Sequence, residues 1–434
     1  MKGFMLSVAL FAALTLHAQN YDVGNIAVVH GDASIAGGLI GVLEQAAGQQ
    51  FYMTHGDLFD FLIIYTTFNP QINMQQGVPI VDAAQGIGRE NVGFLYGPAS
   101  KWGSAGRLKG GVRMIHVDKY PDDPDANMAF PLAGLTSVEL LAHEFSHYWL
   151  SAMDFKKEGD TDPNTGLRGW EDGANQHWNH YFSSGPSVMY GSHIVDNGDG
   201  SFSFYPAEPR KYGPLDQYVM GLRAPEEVDP IFFLCSYQNI ADCKEGSPSL
   251  PTPHTGSIDT VSNMYKHEVT MDDIIRAMGP RVPAAAEAQH DFNAAFIIIN
   301  LPGVEPFPNQ LTRLETLRVR FQEWFSWATD GRGTLCTELD GDCGNVEPTD
   351  DDMVSDESVV DETVTDTEIP DDTVIDDTVT DTDPSDQSDP TDPTDQSEPS
   401  DDTVTPDDIA DTAAGADEVI VGEDEAGCGC SLMF

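Results

Sequence analysis

Positive charge is what this chain has least of. Against 72 Asp and Glu residues stand only 21 Lys and Arg, for a formal net charge of −51 over 434 residues. That balance argues against nucleic acid as a partner, because a phosphate backbone is held largely by neutralising cations. From Thr337 to the end there is no Lys or Arg at all, and Asp, Thr, Pro and Ser recur in units such as Asp383-Pro384-Ser385-Asp386 and Thr391-Asp392-Pro393-Thr394-Asp395. A large share of the negative charge lies there. Such a stretch buries too little apolar surface to offset its ordering entropy, so residues 336–426 are expected to be a disordered, self-repelling acidic tail.

Cysteine is scarce and never arranged as Cys-x-x-Cys, which argues against a thiolate zinc ribbon. The six that exist read instead as products of an oxidising compartment: Cys235 with Cys243, and Cys336 with Cys343, are spaced to close short local disulfide loops. Long apolar runs are also lacking. Phe4 to Leu16 falls short of the roughly 20 residues that span a bilayer. With Lys2 before it and His17-Ala18 ahead of polar Gln19-Asn20, it follows the order of a secretory signal over residues 1–18. The product is expected to be secreted or held at a bacterial cell surface.

What is present is a core-forming stretch, residues 19–335, with strand and helix signals in alternation. Ile26 to Val29, Phe61 to Thr66 and Val112 to Val117 read as strands, and Gly38 to Gln50 as a helix. Thr136-Ser137-Val138-Glu139 has capping-box spacing at the head of an apolar run, and Thr270 to Asp273 caps Ile274 to Met278. Leu311 to Ala328 carries helical period, and Asp196 to Gly200 reads as a hairpin turn. The fold class expected is α/β, of the α+β kind, with an N-terminal mixed-sheet lobe at 19–150 and an irregular, partly helical lobe at 151–335. Val112 to Val117 is a candidate exposed sheet edge.

Within the capped run stands His143-Glu144-Phe145-Ser146-His147. Residues four apart share a helix face, so both imidazoles can reach one metal ion while Glu144 faces the same space. A catalytic zinc keeps three protein ligands and an open place for water, and a nearby carboxylate can take the proton of that water as it attacks a carbonyl. The third ligand is open between Glu171, Asp172 and His177, all in the segment Gly169 to His180. Glu171 has a competing use, because Asp160-Thr161-Asp162-Pro163-Asn164-Thr165-Gly166 alternates oxygen side chains ahead of it in the manner of a Ca2+ loop. Gly166 falls one place late for that loop, and a plain turn is the first reading.

The five-residue motif resembles that of the zincin metallopeptidases. Ser187-Val188-Met189-Tyr190 resembles the Met-turn of the metzincin branch, which implies His177 as third zinc ligand, with Glu171 and then Asp172 as alternatives of the gluzincin type. Metzincins usually place Gly three residues after the second His and the third His three further on. Leu150 and Met153 stand there instead, so the likeness is to leishmanolysin-like members with a long insertion. Tyr212 to Leu222 is similar to a segment of uncharacterised secreted bacterial zincin-like proteins. The resemblance implies a zinc-dependent endopeptidase acting on protein or peptide, with Glu144 as general base. Tyr190 is the first choice for the oxyanion donor, ahead of His193, Tyr212 and Tyr218. The alternative is a non-catalytic surface protein that keeps the fold and displays it on the acidic stalk. Gly427-Cys428-Gly429-Cys430, within a terminal motif at 427–434, resembles C-terminal sorting tails and would provide surface attachment. Oligomeric state has no signature in the chain.

Overall fold

The computed structural model describes residues 19–31, 42–80, 84–88, 97–128, 135–149, 152–169, 176–185, 187–205, 209–243 and 259–344. The expected signal segment, Glu171, Asp172, the acidic tail beyond Gly344 and the Cys428/Cys430 motif lie outside the described residues.

The chain starts with β1 (Tyr21–Val23), which turns back on β2 (Ile26–His30), and continues through α1 (Val42–Phe51), β3 (Phe61–Thr66), β4 (Gln76–Pro79) and β5 (Gly110–His116). Next comes α2 (Ser137–Ser146), the helix that carries the histidine motif. It is followed by β6 (Trp178–Ser183), β7 (Tyr190–Asp196), β8 (Ser201–Tyr205), α3 (Pro214–Met220), β9 (Ile231–Cys235), β10 (Asp259–Ser262) and β11 (Tyr265–Val269). Last are α4 (Met271–Met278), β12 (Asp291–Asn300), α5 (Pro308–Ala328) and β13 (Thr334–Cys336).

The strands make two mixed sheets, so the protein is of mixed α/β class. The first runs β1-β2-β12-β3-β5-β4, with β13 beside β12. Strands β2, β12, β3 and β5 are mutually parallel, and β1 and β4 are antiparallel edges. Phe292 to Asn300 is almost wholly buried, as a parallel strand covered on both faces requires. Because β12 sits at the centre, this sheet draws on both ends of the folded sequence rather than on residues 19–150 alone. The expected edge at Val112–Val117 is corrected as well: β5 is interior, paired with β3 on one side and β4 on the other. A run of apolar strand residues says that a strand is buried, not which neighbours bury it.

One face of this sheet packs on Leu43, Ala47 and Phe51 of α1. The other packs on α2 and α5. Phe145, inside the histidine motif, stands between Phe61 of β3 and Phe321 and Phe325 of α5, with ring centroids 4.4, 5.4 and 5.8 Å away. Burial of such a ring contributes about 1.5–3 kcal/mol and fixes the rotation of α2. Thr136 accepts from the Glu139 N–H at 3.2 Å and Glu139 accepts from the Thr136 N–H at 3.0 Å, which starts the helix where the capping box predicts. All ten residues of α2 are buried, so its polar side chains need partners inside the protein.

The second sheet runs β10-β8-β7-β6-β9-β11, antiparallel apart from β6 and β7. Asn197 to Gly200 joins β7 to β8 as the hairpin expected there. Disulfides link Cys235 to Cys243 and Cys336 to Cys343. The second shows that ordered structure continues past residue 335, with Thr337 buried. Asp160 to Gly166 belongs to a turn bridged by Phe155 and Asn164, and Asn164 Oδ1 accepts from Gly166 N–H while its amide donates to Ile240.

Candidate metal centre

His147 is the C-cap of α2, directly after Ser146, and keeps helical backbone angles (φ −59°, ψ −16°), so the four-residue offset from His143 is kept. His177 arrives from outside the helix, at the entrance of β6. The structure brings the three together: ring centroids lie 4.9 Å apart for His143 and His147, 4.8 Å for His143 and His177, and 4.9 Å for His147 and His177. One nitrogen from each lies within 4.8 Å of the other two. His143 Nε2 and His177 Nε2 are 3.0 Å apart. Two imidazole nitrogens sharing a tetrahedral zinc at about 2.0–2.1 Å would stand about 3.3 Å apart, so the spacing is close to that of a ligand set.

The surroundings act on two of these rings directly. Val188 O lies 2.7 Å from His143 Nδ1, and as a carbonyl it can only accept, which places the proton on Nδ1 and the lone pair on Nε2. Burial lowers the His147 pKa well below the ordinary value, and His177 and His143 lower it further, so its imidazole is neutral at pH 7. All three histidines are no more than 4% exposed. His177 is fixed through its backbone, where its carbonyl accepts from Gly169 N–H at 2.7 Å and the next residue, Trp178, donates to Met189 O at 3.0 Å.

Glu144 is buried on the same helix, and Gly77 N–H donates to its Oε2 at 3.0 Å. Burial pushes the carboxyl up to about 8, with the Gly77 bond pulling the other way. The contact brings edge strand β4 onto α2 so closely that a Cβ at Gly77 would lie 2.3 Å from Glu144 O and 2.5 Å from His147 Cβ. No side chain fits there. Comparison with family models, curated proteins and solved structures finds no match to this chain.

Tyr190 lies over the histidines, its ring 5.0 Å from His143 and 4.6 Å from His177 between centroids. Its φ is +69°, a left-handed conformation that costs a bulky residue about 1–3 kcal/mol. Ser184 Oγ donates to its carbonyl at 2.9 Å. The other oxyanion candidates are placed elsewhere: His193 is exposed on β7, Tyr212 donates to Ala142 O, and the Tyr218 hydroxyl accepts from Arg281 N–H. Sequence reasoning missed two contributors, the Gly77 amide and the Val188 carbonyl. Main-chain groups leave no mark in residue type, although a glycine in a strand hints at close backbone approach.

A second cluster, Cys235, Cys243 and His267, also converges. Its sulfurs are joined to each other, which leaves no thiolate for a metal.

Proposed function

We propose that the protein is a zinc-dependent metalloendopeptidase of the zincin class, exported from the cell. The observation that carries this reading is the convergence of three buried imidazoles, one with its tautomer set by a backbone carbonyl, beside a buried carboxylate. His143, His147 and His177 would hold the ion, and neutral imidazoles suit zinc. Bound there, zinc supplies a Lewis acid and lowers the pKa of a water to about 7.

The chain's own residues do the rest. Glu144, steered by the Gly77 amide, takes the proton from the attacking water and delivers it to the leaving amine. Tyr190 directs its hydroxyl toward the oxygen on which charge develops.

The test is hydrolysis of a general protein substrate by the zinc-loaded chain, compared with Glu144→Gln. Loss of the proton acceptor should lower kcat by at least about 100-fold while zinc content is unchanged. Equal cleavage by the variant, or none by the zinc-loaded parent, would sink the peptidase reading.

A further inference from the structure

The segment Lys211-Tyr212-Gly213-Pro214-Leu215-Asp216 lies outside the metal centre and touches every part of the chain that carries it. Tyr212 is fully buried and its hydroxyl donates to Ala142 O, one residue before His143, at 3.2 Å. Lys211 O accepts from Val188 N–H at 3.0 Å, and Val188 is the residue whose carbonyl orients His143. Asp216 receives Trp178 Nε1–H on Oδ1 at 2.6 Å, and Trp178 follows His177 directly. The Ser187 hydroxyl, at the head of the turn that carries Met189 and Tyr190, lies against the same carboxylate.

We propose that this segment is a clamp for the metal centre and that Asp216 is its chief positioning residue. The inference rests on the metal reading above. Capping of α3 uses only part of the carboxylate: Gly213 N–H donates to Oδ2 at 2.8 Å, which leaves Oδ1 for the indole. A helix cap alone needs neither a carboxylate 5% exposed nor a short bond to a strand residue of the second sheet. Through Trp178, Asp216 sets where β6 begins and hence where His177 points. Trp178 N–H in turn donates to Met189 O, so the third ligand and the turn beneath it move together. Asparagine at 216 keeps one acceptor oxygen but turns an amide toward either Trp178 Nε1–H or Gly213 N–H, which can only donate, so one of those two bonds is lost.

The experiment uses the full chain stripped of metal, with Asp216→Asn, Trp178→Phe and the double variant. Zinc affinity is measured by competition with a chromophoric chelator, and the visible absorption of the cobalt-loaded protein reports ligand geometry. Each single variant is expected to weaken zinc binding about 10–100-fold and to alter the cobalt bands, as loss of an orienting partner does. The double variant should be no worse than the weaker single, since both remove one bond. Trp178→Phe carries the test alone if Asp216→Asn does not fold. Zinc affinity within twofold of the parent, with an unchanged cobalt spectrum, would overturn the clamp and leave the metal centre standing. A parent that takes up no zinc would overturn the metal centre and the clamp with it.

Discussion

Tyr190 is held in a left-handed backbone conformation with its ring against His143 and His177, and strain of that kind persists only where the surroundings enforce it. Removing its hydroxyl tests whether the placement serves catalysis. Tyr190→Phe is expected to lower kcat about 100-fold with KM and zinc content near those of the parent, in keeping with loss of one oxyanion donor. A rise in KM alone, measured in the same steady-state assay, would assign the ring to substrate binding. At this scale the sequence was legible in part. His143, Glu144 and His147 declare themselves through helical spacing. His177 stands 30 residues beyond His147 and at the mouth of a strand, so no local period links it to them; the residues alone leave it one of three candidates with Glu171 and Asp172, and only the resemblance favours it. Gly77 and Val188 act through main-chain atoms, which any residue type carries.

Among the elements, α1 and β5 are joined across the sheet face by Glu44 and Arg113, both essentially unexposed, with Arg113 also donating to Ile72 O at 3.3 Å. Truncating one side of such a pair leaves a buried charge uncompensated. Glu44→Ala is expected to cost about 3–5 kcal/mol in urea unfolding, far more than the loss of an exposed pair. Helix α4 gives a second element-level test. Burial raises the Asp273 carboxyl, but Lys157, Thr270 and Arg276 outweigh it and hold the pKa at about 2 against the ordinary 3.8. A depressed carboxylate contributes stability above the unfolded pKa and loses it as the folded pKa is approached. About 2 kcal/mol should therefore disappear between pH 4 and pH 2. In Asp273→Asn the urea midpoint should fall less steeply over that window, and an identical slope would contradict the assignment. Thr270 and Thr136 show why helix starts were legible, since a cap is written in adjacent residues. The identity of the sheet edge was not, because pairing of β5 with β4 depends on a four-residue strand with no periodic signal of its own.

For the whole molecule, the α/β class was readable from alternating strand and helix patterns, but the division into sequential lobes was not. Ile26 to His30 pairs with Phe296 to Asn300, a contact across nearly the whole folded sequence that composition and period do not encode. That closure encloses α2 between the first sheet and α5 and buries its histidines where they converge with His177. The proposed zinc site depends on this enclosure bringing three histidines together. The most direct test is zinc bound per chain by the purified parent and by His177→Ala, read by elemental analysis after dialysis against a weak chelator. One zinc per parent chain, with most of it lost from the variant, is the result expected here. A parent without zinc, or a variant that retains it as fully as the parent, would contradict the claim.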